Sequence, residues 1–345
     1  MTETLATTEA APARGAAATR PTRARLIVCW VTVAAMLPYL CLKLSWLSGS
    51  TIGTNGPDVV DNSTLQGLNV ITLGMDCAAL AVALTLTYRW GLRVPAWLLV
   101  LPMWIATGFL GTIAVAAPSA AIATVVTGAH PAAGAIAPVQ GWVYAVVYTG
   151  FAAQGVGLTT AFVLHLRARR PQLFTARLSD LRLDAGPTAA VRRVLVNGLS
   201  VPVLLVAAVD LYWAGGGTAG LTAADLADRT AGDQAVNAAY GLLALAAAVG
   251  PLLLVRPNTG NRRALPALVA AWLGTGSLFA WGLWDEIVTA LQPFEPHETA
   301  LTATPLTMLT GYFQALAGAL LATVVLLALV EGSAGPATLR PKSPA

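Results

Sequence analysis

Eight stretches of the chain stay apolar for about 20 residues or more, and most of its charges collect between them. They cover residues 26–47, 67–88, 95–117, 139–166, 194–214, 233–255, 266–288 and 305–330. At about 1.5 Å of rise per residue, a helix of that length crosses about 30 Å of hydrocarbon. Backbone groups in lipid must be paired within their own segment, and these stretches lack the alternation of barrel strands. The expected fold class is therefore all-α integral membrane, with eight transmembrane helices.

Composition sharpens this. Hydrophobic residues make up 56% of the 345 and charged residues only 10%, with a mean hydropathy of +0.69, against about one-quarter charged residues in soluble domains. With both termini placed in the cytoplasm, 18 of the 20 Lys and Arg residues fall on the cytoplasmic side, as the positive-inside rule requires. Asp58, Asp61, Asp225, Asp228, Asp233, Glu295 and Glu298 fall on the other. The net charge of +4 thus reflects insertion and gives no ground for a nucleic-acid partner. The expected location is the bacterial plasma membrane, multi-pass.

The segments order themselves as a disordered cytoplasmic tail (1–25), a four-helix membrane unit (26–166), a basic linker (167–193), a second four-helix unit (194–330) and a cytoplasmic tail (331–345). The first apolar run is too long for the core of a signal peptide and is read as an anchor. The partners expected are the bilayer itself and, at the linker, anionic headgroups, at about 1 kcal/mol per nearby arginine. A protein partner is left unspecified. Cys29, Cys41 and Cys77 have no metal-type or redox-type spacing and read as small packing residues.

Setting 42–61 against 209–228 at an offset of 167 pairs Leu44 with Leu211, Trp46 with Trp213, Gly49 with Gly216, Thr51 with Thr218 and Gly53 with Gly220. Trp104, Thr107 and Gly108 match Trp272, Thr275 and Gly276 at an offset of 168. Two parallel-oriented four-helix repeats are expected, related by a pseudo-two-fold axis along the membrane normal. The competing reading is chance similarity in an Ala-, Leu- and Gly-rich chain. The tryptophans sit where a helix leaves hydrocarbon, and the glycines after them permit a tight turn.

Lys43 and Asp210 occupy the same slot in the two copies. Two readings are open: they pair across the pseudo-two-fold, or Lys43 snorkels to the headgroups. Tyr39, Lys43 and Trp46 share one face of the first helix, and Asn69, Thr72 and Asp76 share one face of the second. An outward-opening polar cavity is expected between them, with Asp76 at its floor. Asp76 reads as a proton or cation site or as a protonated, hydrogen-bonded packing residue. The candidate binding set is thus Tyr39, Lys43, Asn69, Thr72, Asp76 and Asp210. Gly311, Ala315, Gly318 and Ala319 form a small-residue face for helix packing.

Catalytic signatures are missing from the sequence: it has no nucleophile elbow, phosphate-binding loop or zinc-protease motif. Glu295, His297 and Glu298 are weak metal candidates, and a solvated acidic loop is the simpler reading. No metal and no cofactor are expected. The Trp-x-x-Gly-x-Thr-x-Gly element at 46–53 and 213–220, with the Leu-Pro-Tyr-Leu run at 37–40, resembles a group of polytopic membrane proteins of high-GC bacteria. That resemblance implies location and helix count and carries no activity.

Three functions follow from this. The favoured one is a non-enzymatic structural, accessory or partner-binding module. The alternative is a secondary transporter or small-solute permease using the cavity near Lys43, Asp76 and Asp210, which would call for helices broken near Pro38, Pro102 or Pro202. The third, a membrane-embedded enzyme, would draw on Asp285, Glu286, Glu295 and His297.

Overall fold

The computed structural model describes residues 22–56, 61–127, 139–181, 186–221, 226–227, 229–256, 262–291 and 305–334. Asp58, His130, Asp225, Asp228, Glu295, His297, Glu298 and nearly all of both tails lie outside the described residues, and with them the weak metal set. Among the described residues eight long helices follow one another: α1 (Arg23–Leu47), α2 (Ser63–Thr87), α3 (Trp97–Thr127), α4 (Gly141–Arg169), α5 (Ala189–Ala214), α6 (Ala231–Val255), α7 (Leu265–Leu291) and α8 (Pro305–Ala334). All eight are long and apolar enough to cross a membrane, the mark of a polytopic membrane protein. Among the described residues there is no strand, only two isolated bridges.

Local chemistry sets where the helices begin. The Asn62 side chain accepts from Leu65 N at 2.7 Å at the head of α2. Thr230 and Asp233 exchange side-chain and backbone bonds at the head of α6, which satisfies amide donors that the first turn would leave unpaired. Pro38, Pro102 and Pro202 lie inside α1, α3 and α5, each of which continues through its proline as one helix. The broken helices that a transporter would call for are not found at these three sites.

Packing follows the same list of pairs in each set of four. In the first set α1 packs on α2 and α4, α3 packs on α2 and α4, and α2 touches α4. In the second, α5 packs on α6 and α8, α7 packs on α6 and α8, and α6 touches α8. The two sets meet through α3, which packs on α6 and α7, and through α7, which reaches α2. The helices carrying Lys43 and Asp210 are therefore on the outer flanks of this contact.

At the α3–α7 crossing the backbones come close enough that a Cβ on Gly108 would collide with the Gly276 carbonyl. Around it Trp104 Nε1 donates to Thr275 Oγ1 at 3.1 Å, and Trp272 Nε1 donates to Thr107 Oγ1 at 2.8 Å. Each indole is also stacked, Trp104 on Phe279 and Trp272 on Phe162. The expected small-residue face on α8 does bring helices together: a Cβ on Gly318 would lie 2.6 Å from Phe279 N, and one on Gly282 2.6 Å from Gly311 O.

Candidate functional site: a buried ion pair beside a cavity

Lys43 lies near the end of α1 and Asp76 midway along α2. Their antiparallel packing brings Lys43 Nζ within 2.6 Å of Asp76 Oδ2, with side chains 1% and 7% exposed. Lys43 therefore neither snorkels nor pairs with Asp210, and both sequence readings of it are corrected. The reason is topological, since the partner had to come from a helix packed on α1, and α5 packs elsewhere. The ammonium also stands 4.1 Å from the centre of the Tyr39 ring, a cation–π contact that gains strength where water is excluded. Tyr39 in turn meets Phe151 of α4 edge to face, at 5.3 Å between ring centres.

A cavity of about 210 Å³ opens above this cluster. Tyr39, Asn69 and Thr72, three of the residues proposed from the sequence, line it together with Trp46, Gln66 and Trp284. Trp284 comes from α7, so the cavity lies between the two sets of helices. Lys43 and Asp76 are not among its lining residues and are buried.

Asp210, the remaining candidate, is buried on α5 in the neighbourhood of Tyr240 on α6. The structure does not bring it to the Lys43–Asp76 cluster. At the matching offset, Tyr39, Asn69, Thr72 and Asp76 correspond to Val206, Val236, Ala239 and Leu243. The same helix pairs thus pack in α5–α8 with apolar residues at these four positions.

The Trp and Gly motif closes the C-terminal ends of α1 and α5 in the same way. Gly49 N donates to Trp46 O at 3.0 Å and Ser50 N to Ser45 O at 2.9 Å, while Gly216 N donates to Trp213 O at 3.0 Å and Gly217 N to Tyr212 O at 2.9 Å. This is the Schellman pattern, with Gly49 and Gly216 at φ of 88° and 91°, which a residue lacking Cβ adopts without strain. Each indole then reaches over its own turn, Trp46 Nε1 to Ile52 O at 2.8 Å and Trp213 Nε1 to Ala219 O at 3.0 Å.

Sequence reasoning missed a second buried ion pair. Arg192, counted there simply as a linker arginine, is 1% exposed and lies in the first turn of α5, with Nη2 3.2 Å from Glu331 Oε2 of α8. Thr188 Oγ1 donates to Glu331 Oε1 at 2.8 Å. The signal was present: Arg25 lies 167 positions before Arg192, and its guanidinium contacts the Leu86 carbonyl and His165 Nδ1 of α4. Of the residues behind the enzyme reading, Glu286 is buried where a Cβ on Gly311 would meet it, and Asp285 follows the helix round to a more exposed position. Comparison with known protein families, curated proteins and solved structures finds no match, so the role of this site rests on its own chemistry.

Proposed function

We propose that the protein is a non-enzymatic, multi-pass protein of the bacterial plasma membrane with both termini cytoplasmic. In this reading it arose by duplication of a four-helix unit and serves as a structural and partner-binding module. The observation that carries it is the reciprocal pair Trp104–Thr275 and Trp272–Thr107. Equivalent residues exchange equivalent bonds, as they do across an isologous two-fold interface. Those bonds and the Gly108–Gly276 approach tie the halves together along the contact on which rocking halves would have to move. Continuous helices through Pro38, Pro102 and Pro202 and the closed Lys43–Asp76 pair support the same reading.

One observation favours a small-solute permease as the second reading. The cavity stands over the ion pair, and its polar residues Tyr39, Asn69 and Thr72 answer to apolar residues in the second half, so the four-helix packing has no need of them. Reconstitution into liposomes with an unbiased solute-uptake screen separates the two. The module reading expects no uptake that depends on Asp76, and an Asp76→Asn variant changed only in thermal stability. A solute flux that Asp76→Asn abolishes would overturn it in favour of the permease.

A further inference from the structure

Three aromatic side chains stand around the cavity, Tyr39 and Trp46 of α1 and Trp284 of α7, and Leu65 and Leu68 of α2 add apolar wall. Thr54 and Val139 also line it and are paired in an antiparallel bridge. Around that bridge Gln140 N donates to Gly53 O at 2.7 Å and Asn55 Nδ2 to Val139 O at 3.2 Å. Thr64 Oγ1 donates to Leu291 O at 2.9 Å, which fixes the start of α2 to the end of α7. The walls supplied by the two sets of helices are thus tied to one another around the space between them. Its volume, about 210 Å³, exceeds the roughly 150 Å³ that admits benzene and falls short of the roughly 300 Å³ of a drug-sized site. One substituted ring fits it.

The lining also selects by charge. No Asp, Glu, Lys, Arg or His is among the described residues that line the cavity, and the ions beside it, Lys43 and Asp76, satisfy each other at 2.6 Å. A charged molecule would lose its water there and gain no counter-charge. What the wall offers instead is Asn69 and Thr72, three positions apart on one face of α2. Among the described residues the Asn69 carboxamide bonds to none, so its N–H donors and its C=O acceptor are all available. The Thr72 hydroxyl gives its proton to Leu68 O at 2.8 Å and keeps a lone pair to accept with. A partner that serves both residues needs an N–H beside a C=O.

We infer that this cavity binds a neutral, planar ring carrying an amide edge, an N–H next to a carbonyl, as in an aromatic carboxamide or a nucleobase. Asn69 pairs with that edge as donor and acceptor, Thr72 accepts from it, and the faces of Tyr39, Trp46 and Trp284 pack against the ring. Trp284 belongs to the second set of helices and Asn69 to the first, so a bound ring bridges the two halves and stabilises their contact. The inference goes beyond the module reading, which needs no ligand, and it names a solute class for the permease reading.

The test uses the purified full chain in neutral detergent, with binding followed by saturation-transfer NMR and by the unfolding midpoint. Nicotinamide and uracil are the two probes, one for each source of the amide edge. The better of them should bind saturably with Kd of about 1 mM, as suits a molecule of so few atoms, and should raise the midpoint. Asn69→Val should weaken binding about 10-fold or more, since two hydrogen bonds are lost. It should leave the midpoint of the ligand-free protein unchanged, because Asn69 has no partner to lose and Val236 stands at the matching place in the second half. Trp284→Leu should weaken binding about 3- to 10-fold and Trp284→Phe less. Nicotinate, N,N-dimethylnicotinamide and cyclohexanecarboxamide, which respectively add a charge, remove the donors and remove the aromatic face, should each bind more weakly than nicotinamide.

No saturable binding of either probe, or binding that Asn69→Val leaves intact, would overturn the site. Equal binding of nicotinate would overturn the selection for neutral ligands, and equal binding of cyclohexanecarboxamide the selection for an aromatic ring. The uptake screen decides a separate question: saturable binding without flux supports this site together with the module reading, whereas Asp76-dependent flux overturns the module reading and leaves the binding result to judge the site.

Discussion

The Lys43 ammonium is held 2.6 Å from the Asp76 carboxylate, 33 positions away in sequence and one helix away in space, with both side chains buried. Removing one partner of such a pair leaves an uncompensated charge, which costs about 3 to 5 kcal/mol, whereas replacing both with apolar groups is often neutral. Lys43→Met is therefore expected to lower stability by about that amount, and Lys43→Met/Asp76→Leu to recover most of it. Lys43→Met and Asp210→Leu, on separate flanks, should combine additively to within about 0.5 kcal/mol. Denaturant unfolding in mixed micelles measures all of these. Coupling between Lys43 and Asp210 in place of Lys43 and Asp76 would contradict the geometry.

Much of the scaffold was legible in the sequence, because a helix in lipid has to be apolar along its length, and length and hydropathy together mark it. The face shared by Asn69, Thr72 and Asp76 was legible for a similar reason, since spacings of three and four residues fix a helix face whatever lies opposite. The partner of Lys43 was not. Which helix lies opposite depends on how α1 to α8 pack in three dimensions, and no periodicity along one helix encodes that. Equivalence of Lys43 with Asp210 pointed across the molecule, while α3 and α7, not α1 and α5, form the contact. Trp104, Thr107 and Gly108 stood out as matches to Trp272, Thr275 and Gly276, yet that each indole would bond the other set's threonine needed the crossing itself. Arg192 and Glu331 were passed over because both lie at the edges of apolar runs, where a charge is usually solvated.

The α3–α7 contact predicts two matching double-mutant cycles. Trp104→Phe with Thr275→Val, and Trp272→Phe with Thr107→Val, should each show a coupling of about 0.6 kcal/mol, the average for interhelical hydrogen bonds in lipid. Trp104→Phe with Thr107→Val should show much less, because the indole bonds to Thr275 and not to Thr107. Gly108→Ala should be worse than any single member of these cycles, at about 1 to 3 kcal/mol, since its methyl meets backbone that cannot turn aside. Unfolding midpoints for the set decide the matter, and a Gly108→Ala protein as stable as the wild type would show that the helices are not this close.

The glycines of the two turns should separate by surroundings although all four have positive φ. Gly49 and Gly216 have open space where a Cβ would go, and Gly220 has Trp213 at 3.8 Å. Alanine at these positions should cost only the backbone term, about 1 to 2 kcal/mol. At Gly53 the new methyl would lie 2.5 Å from Val143 Cγ2 and 2.9 Å from the Trp142 ring, so Gly53→Ala should be the most destabilising of the four. Equal losses across the set would mean that the turn after α1 is not seated on α4 as described.

The basic ends of α1 and α5 offer the sharpest contrast between equivalent positions. Arg192 is buried against Glu331, so Arg192→Met strands a largely buried carboxylate and should cost about 3 to 5 kcal/mol. Arg25 is half-buried and faces a carbonyl and a histidine, groups that carry no fixed negative charge, so Arg25→Met loses a hydrogen bond worth about 1 kcal/mol. Glu331→Gln alone should also destabilise, because it leaves Arg192 buried without its counter-charge, and Arg192→Met/Glu331→Gln should be milder than Arg192→Met. Thermal unfolding of the four proteins reads the order directly. Arg25→Met and Arg192→Met losing the same stability would show that the two arginines, 167 positions apart, are held alike, and that the Glu331 carboxylate contributes nothing to the second.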